Sequence, residues 1–104
     1  MDQAVIARIP LVEDPFGSDR EREIISDLAD SLATAINTYG VGEFDGEEFG
    51  GGTCVLFMYG PDADRLFGVV EPILKACPLA RGGFAVKRYG EADDRNAIAV
   101  KIPL

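Results

Sequence analysis

The chain contains no histidine and no tryptophan among its 104 residues. Without histidine, the Ser-His-Asp and Cys-His forms of nucleophile activation are excluded, and so are the usual histidine-containing zinc and iron sites. General acid–base catalysis would have to use carboxylates, lysine or tyrosine. The sequence therefore argues against an enzyme, and it predicts neither a cofactor nor a metal site.

Long apolar runs are missing too. No segment approaches the ~20 residues that a membrane helix needs. The first residues, MDQAVIARIP, lack a basic region followed by an uninterrupted apolar stretch, so we expect a cytoplasmic protein without a signal peptide. In that compartment Cys54 and Cys77 are expected to be reduced thiols, although a disulfide between them is sterically conceivable.

What the chain does have is an acidic, globular composition. It is 47% hydrophobic, and 18 acidic residues against 10 basic ones give a net charge of −8. This length fits one domain, residues 1–104, with a modest core. A net negative charge opposes a phosphate backbone, so nucleic acid is not an expected partner.

Two segments are typical of helices. Ser18 lies three residues before Glu21, which is the spacing of a capping box, and apolar residues then recur every three or four positions as far as Gly40. The second helix is predicted to take Pro61 as its first helical position and to end at Cys77. Pro72 lies inside it, where we expect a kink.

Five segments are typical of strands: 4–9, 41–48, 53–59, 84–89 and 97–102. The segment 41–48 has two interpretations, one strand that turns at the glycines 50–52, which we favour, or a tight hairpin around Asp45 and Gly46. The segment 53–59 is apolar on both faces, which indicates a central strand. The order β-α-β-β-α-β-β predicts a two-layer α+β sandwich, ferredoxin-like with an extra C-terminal strand and with both helices on one face of an antiparallel sheet.

The sheet face that the helices leave open is the first candidate site. We expect the helices to cover Val5, Ile9, Phe84, Val86, Ile98, Val100 and Ile102. Strict alternation does not decide which side chains of the central strand face the helices. For the face that stays open, it predicts basic residues among aromatic ones. The binding residues predicted there are Arg8, Phe57, Tyr59, Lys87, Tyr89 and Lys101. Such a face suits a protein partner, and we expect a homodimer through it; the alternative is a solvated face with scattered apolar residues.

Carboxylates form two further candidates. Alternation would place Glu43, Asp45 and Glu47 on one face of a strand, where they could contact a basic partner or simply keep an edge strand solvated. Asp62 and Asp64 could form a catalytic pair, but a position at a helix N-terminus already explains both.

One stretch carries a family resemblance. LADSLATAINTYGVGEFDGEEF, residues 28–49, resembles a segment of the regulator of ribonuclease E activity B family. The resemblance implies a small acidic ferredoxin-like domain that regulates by binding protein. Where that family often has tryptophan after Asp-Gly, this chain has Glu47. Residues 51–67 also resemble a segment of bacterial proteins of unknown function.

These observations favour an acidic protein-binding or regulatory module, such as an inhibitor of a basic partner. The alternative is a small-ligand-binding or carboxylate-dependent enzyme domain that uses Asp62 and Asp64.

Overall fold

The computed structural model describes residues 2–104 and arranges them in the predicted order of strands and helices. The elements are β1 (Gln3–Pro10), α1 (Asp19–Tyr39), β2 (Glu43–Gly50), β3 (Thr53–Gly60), α2 (Ala63–Ala76), β4 (Phe84–Arg88) and β5 (Ala99–Pro103), with a 3-10 turn (Pro78–Ala80) after α2.

The five strands form one antiparallel sheet in the order β2-β3-β1-β4-β5. The first four strands and the two helices follow the ferredoxin-like plan, and β5 adds a strand outside β4. The predicted fold class is confirmed. It leaves β2 and β5 at the two edges of the sheet, with β1 in the middle.

The capping box of α1 forms as predicted. The Ser18 hydroxyl accepts a hydrogen bond from the Glu21 N–H at 3.1 Å, and the Glu21 carboxylate accepts one from the Ser18 N–H at 3.1 Å. Gly40 ends the helix in the left-handed conformation with φ of 62°, which suits glycine. The ends of α1 are therefore fixed by local chemistry that the sequence displays.

Glu21 does more than cap the helix. Its side chain is fully buried, and its carboxylate also accepts hydrogen bonds from the N–H groups of Val12, Glu13 and Asp14 at 2.9, 3.4 and 3.3 Å. Burial pushes the pKa of this carboxyl upward, but the backbone donors outweigh it and hold the pKa below its ordinary value. The carboxylate thus ties the loop between β1 and α1 to the first turn of α1.

The second helix begins later than predicted. Asp62, not Pro61, is the capping residue, since its carboxylate accepts hydrogen bonds from the N–H groups of Asp64 and Arg65 at 3.0 and 3.2 Å. Pro61 therefore lies outside α2. The helix runs as one element through Pro72 and ends at Cys77, as predicted.

The core lies between the helices and one face of the sheet. Its fully buried large side chains include Ile9, Ile25, Leu32, Ile36, Leu56, Met58, Leu66 and Leu74. They come from both helices and from the two central strands, β1 and β3. The other face of the sheet has no layer against it from any of residues 2–104.

Candidate functional site: the open sheet face

The strand register arranges the uncovered side of the sheet, named here the open sheet face, in three rows that cross all five strands. Directly opposed residues of antiparallel strands point to the same face, so each row can be traced through the pairings. From β2 to β5 the rows are Glu48–Val55–Arg8–Phe84–Pro103, Gly46–Phe57–Ile6–Val86–Lys101 and Glu43–Tyr59–Ala4–Arg88–Ala99.

The central strand presents Phe57 and Tyr59 to this face. Their neighbours Leu56 and Met58 are fully buried in the core, so the ambiguity of an all-apolar strand is settled by packing. Phe57 and Tyr59 are half-buried, with Ile6 beside Phe57 on β1. Four of the predicted binding residues, Arg8, Phe57, Tyr59 and Lys101, lie on the open sheet face.

The prediction for β4 is wrong about which face its residues occupy. Phe84 and Val86 lie on the open sheet face, opposite Arg8 and Ile6 of β1, whereas the pairing of Lys87 with Val5 places Lys87 on the helix side. The sequence there runs Phe-Ala-Val, and three apolar residues in succession do not show which of them faces the core. Ala85 is fully buried under the helices. Because side chains alternate along a strand, its two neighbours point to the open sheet face.

Tyr89 is likewise displaced from the predicted face. Its hydroxyl donates to the Asp64 carboxylate at 2.6 Å, and the Lys87 ammonium lies 2.9 Å from the same oxygen. The hydrogen bonds from Lys87 and Tyr89 hold the pKa of Asp64 below its ordinary value, and the bond to Asp64 raises the pKa of Lys87. The cluster therefore keeps its carboxylate ionised and its amine protonated. A lowered pKa makes the Asp64 carboxylate a weaker base, and the protonated amine of Lys87 has no free electron pair with which to act as a nucleophile.

The acidic strand is also arranged differently from the prediction. β2 is one strand, as favoured, but its register with β3 shifts between Phe44 and Gly46. This β-bulge at Asp45 breaks the period-two alternation. Glu43 consequently faces the open side, while Glu47, opposite Leu56, is on the helix side. The expected single face of Glu43, Asp45 and Glu47 does not form; Glu48 joins Glu43 instead.

The bulge creates an acidic groove at the β2 edge. It has a volume of about 300 Å³ and is lined by Asp45, Gly46, Glu47, Glu48, Phe57 and Tyr59. Gly46 has φ of 112°, a conformation that favours glycine, and no atom lies within 4 Å of the place where a side chain would begin. The groove is thus open above Gly46, with carboxylates around it and aromatic rings on its inner side.

The opposite half of the open sheet face is basic. The Lys101 ammonium lies 4.0 Å from the centre of the Phe84 ring, which is a cation–π contact. The Arg88 side chain donates to the Gly90 carbonyl at 2.7 Å, and Arg8 is exposed. The face therefore runs from carboxylates on β2, through an apolar and aromatic middle, to cations on β1, β4 and β5.

Sequence reasoning missed Phe84, Val86 and Arg88 as members of this face. Arg88 could have been found from its pairing with Ala4, but that pairing depends on the register and not on the pattern of β4 alone. The helices also cover less of β5 than predicted. Val100 is on the helix side, as predicted, yet it is 42% exposed. Ile98 lies before the strand and is 69% exposed. The helices do not extend over this edge strand.

A second groove lies on the helix side, between α1 and α2. Its volume is about 500 Å³, and its apolar lining includes Ile24, Leu28, Pro72, Ile73 and Cys77. It brings together none of the residues predicted to bind a partner. Cys77 and the buried Cys54 are both free thiols.

Within residues 2–104, no group of histidine, cysteine, aspartate or glutamate side chains is gathered so that it could hold a metal ion. Neither α1 nor α2 is long and apolar enough to cross a membrane.

The fold and this site were compared with known proteins. No protein-family model matches the chain, and neither a curated protein nor a solved structure is found to be similar to it.

Proposed function

We propose that this protein is a non-enzymatic protein-binding module that recognises its partner through the open sheet face. The observation that carries the proposal is the composition of that face: half-buried apolar and aromatic side chains in the middle, with carboxylates at one edge and cations towards the other. Aromatic residues and arginine are the types enriched where proteins bind one another.

The area of the face supports this function. Strands spaced about 4.8 Å apart, three of eight residues and two of five, give a face of about 500 Å². A partly apolar surface of this size is towards the upper end of what monomeric proteins leave uncovered. A broad surface of this kind, with one open groove at its β2 edge, suits another protein surface better than a small molecule, which needs a pocket that encloses most of its surface.

The state of the two candidate catalytic carboxylates also favours binding over catalysis. Asp62 accepts two backbone hydrogen bonds at the start of α2, and Asp64 is held by Lys87 and Tyr89. Both carboxylates therefore have structural partners already. A regulatory role, such as inhibition of a partner with a basic surface, is compatible with the carboxylates of β2 and with the net charge of −8.

The proposal is tested by affinity capture with three immobilised forms of the protein in a native lysate. Phe57→Asp places a charge in the middle of the open sheet face, whereas Val12→Asp makes the same kind of change in a loop where Val12 is 82% exposed. Wild type and Val12→Asp should retain the same protein, and Phe57→Asp should lose it. A circular dichroism melt shows that the variants are folded.

Because Phe57 is half-buried, Lys101→Glu serves as a second variant at an exposed position of the same face. It should also reduce capture. Equal retention of the same proteins by all four forms would overturn the proposal, since binding would then use another surface.

A further inference from the structure

The geometry points to a second copy of this chain as the occupant of the open sheet face. We propose a symmetric dimer in which the two sheets stack face to face about a two-fold axis parallel to the strands, with β2 of each copy lying over β5 of the other. This inference rests on the proposed function, because it names the partner of the same face.

The charge layout selects this arrangement. A two-fold axis along β1 exchanges the two edges of the sheet, so β2 with its carboxylates lies over β5, which carries Lys101. A two-fold axis perpendicular to the strands would instead place β2 over β2 and oppose Glu43 of each copy to Glu48 of the other. Opposed like charges are costly in an interface, so the strand-parallel axis is favoured.

The rows then match residue by residue. In the middle row, Gly46 lies opposite Lys101 of the second copy, Phe57 lies opposite Val86, and Ile6 lies near the axis opposite itself. The apolar residues are thereby covered by apolar residues. In the row that begins at Glu43, Tyr59 meets Arg88, and an arginine over a tyrosine ring is a favourable pair.

The acidic groove accounts for the most specific contact. Gly46 leaves the groove open at the level of Lys101 of the second copy, and Glu48 and Asp45 line it. The ammonium group of Lys101 would exchange its contact with the Phe84 ring for carboxylates of the other copy. Because the axis is two-fold, this contact occurs twice in each dimer.

The area of the face indicates a small interface. Two faces of about 500 Å² bury about 1,000 Å² in total, which is about the smallest area expected of a specific interface. We therefore expect a weak, reversible dimer. Its charge pairs are at the rim, so raising the salt concentration should weaken it.

One contact is unfavourable in this arrangement. Arg8 of one copy lies near Arg8 of the other, close to the axis and at one end of the sheet. Removing this charge with Arg8→Gln should therefore strengthen the dimer by about threefold. A weaker dimer in Arg8→Gln would contradict the position of the axis.

The test is sedimentation equilibrium of the whole chain between about 1 μM and 1 mM. Lys101→Glu should weaken the dimer by at least about tenfold, because it replaces two attractive contacts by repulsive ones. Lys75→Glu is the matched control: it makes the same change of charge on α2, in the helix layer, and should leave the dissociation constant within about twofold.

A charge exchange tests the contact itself. Adding Glu48→Lys to Lys101→Glu should bring the dissociation constant back to within about threefold of wild type, since the two charges then attract again. Failure of the exchange to restore affinity, with both proteins folded, would overturn the contact between Lys101 and the acidic groove.

The two proposals fail separately. A wild-type monomer at every concentration would overturn the dimer, yet loss of a captured foreign protein in Phe57→Asp would still support binding through this face. Equal dimerisation of wild type and Phe57→Asp would overturn the dimer through this face, whatever the capture experiment gives.

Discussion

Glu21 shows how one residue can join two parts of the fold. Its carboxylate is buried and has four backbone N–H donors from the loop and from Ser18. A buried carboxylate is tolerated only because these donors compensate for its loss of water. If one of its oxygens were replaced by an amide NH₂ group, that hydrogen-bond donor would face the backbone N–H donors and could not accept from them.

Glu21→Gln should lower the melting temperature by about 5 °C or more, since it leaves buried backbone donors without an acceptor. Glu23→Gln in the same turn is the control, because Glu23 is exposed. Equal melting temperatures for wild type and Glu21→Gln in a thermal denaturation experiment would contradict this role.

The same carboxylate predicts a pH dependence. The folded-state pKa of Glu21 lies below the ordinary glutamate value of 4.5, so the folded state binds fewer protons than the unfolded state in this range. Its contribution to stability is complete above pH 4.5 and is lost as the pH falls through the lower, folded-state pKa. Urea denaturation between neutral and acid pH should show this loss in wild type and a smaller one in Glu21→Gln.

The two thiols should differ in reactivity. Cys54 is fully buried, and its burial, helped by the charge of Glu47, raises the pKa of its thiol to about 12. Cys77 is half-buried at the end of α2. Because the thiolate is the reactive form, iodoacetamide at pH 8 should modify Cys77 in the native protein and both cysteines after denaturation. Rapid modification of Cys54 in the native protein, detected by peptide mass spectrometry, would contradict its burial.

At the scale of elements, α2 contains a residue that helices normally exclude. Pro72 supplies no N–H, and its ring presses against the carbonyl of Gly68 four residues earlier. Both residues are exposed, and a side chain at Gly68 would meet no atom within 4 Å. The helix therefore continues through Pro72 on a side where the neighbouring space is open.

Pro72→Ala should raise the free energy of unfolding by about 1 kcal/mol, because the helix can regain a hydrogen bond while the unfolded chain gains some freedom. Chemical denaturation measures the change. A loss of more than about 2 kcal/mol would mean that the proline is needed for packing along the groove between the helices.

At the scale of the whole molecule, the two faces of the sheet differ in what they contact and in the charges they carry. One face shares a single hydrophobic cluster with both helices, and the other carries charges of both signs separated across the strands. Three of the ten basic residues lie on this second face, although the chain as a whole is acidic. This separation of charge is what makes the face complementary to a copy of itself.

The sequence by itself determined the features that depend on neighbours along the chain. The capping box at Ser18 and Glu21, the glycine that ends α1, and the order of strands and helices all follow from local spacing, and the order restricts the topology to the ferredoxin-like plan. For β1 and β5 the alternation also gave the correct face, because one charged residue in each strand, Arg8 or Lys101, marks the side that the helices leave open.

Only the tertiary structure decided which face β3 and β4 present and where the carboxylates of β2 point. Thr53–Gly60 is apolar on both sides, and Phe84–Arg88 begins with three apolar residues, so the register with β1 chose the buried set. One extra residue at Asp45 reversed the alternation of β2 and moved Glu47 away from Glu43. Since side chains alternate with a period of two, a change of one position exchanges the faces, and only the pairing of strands distant in sequence fixes that position.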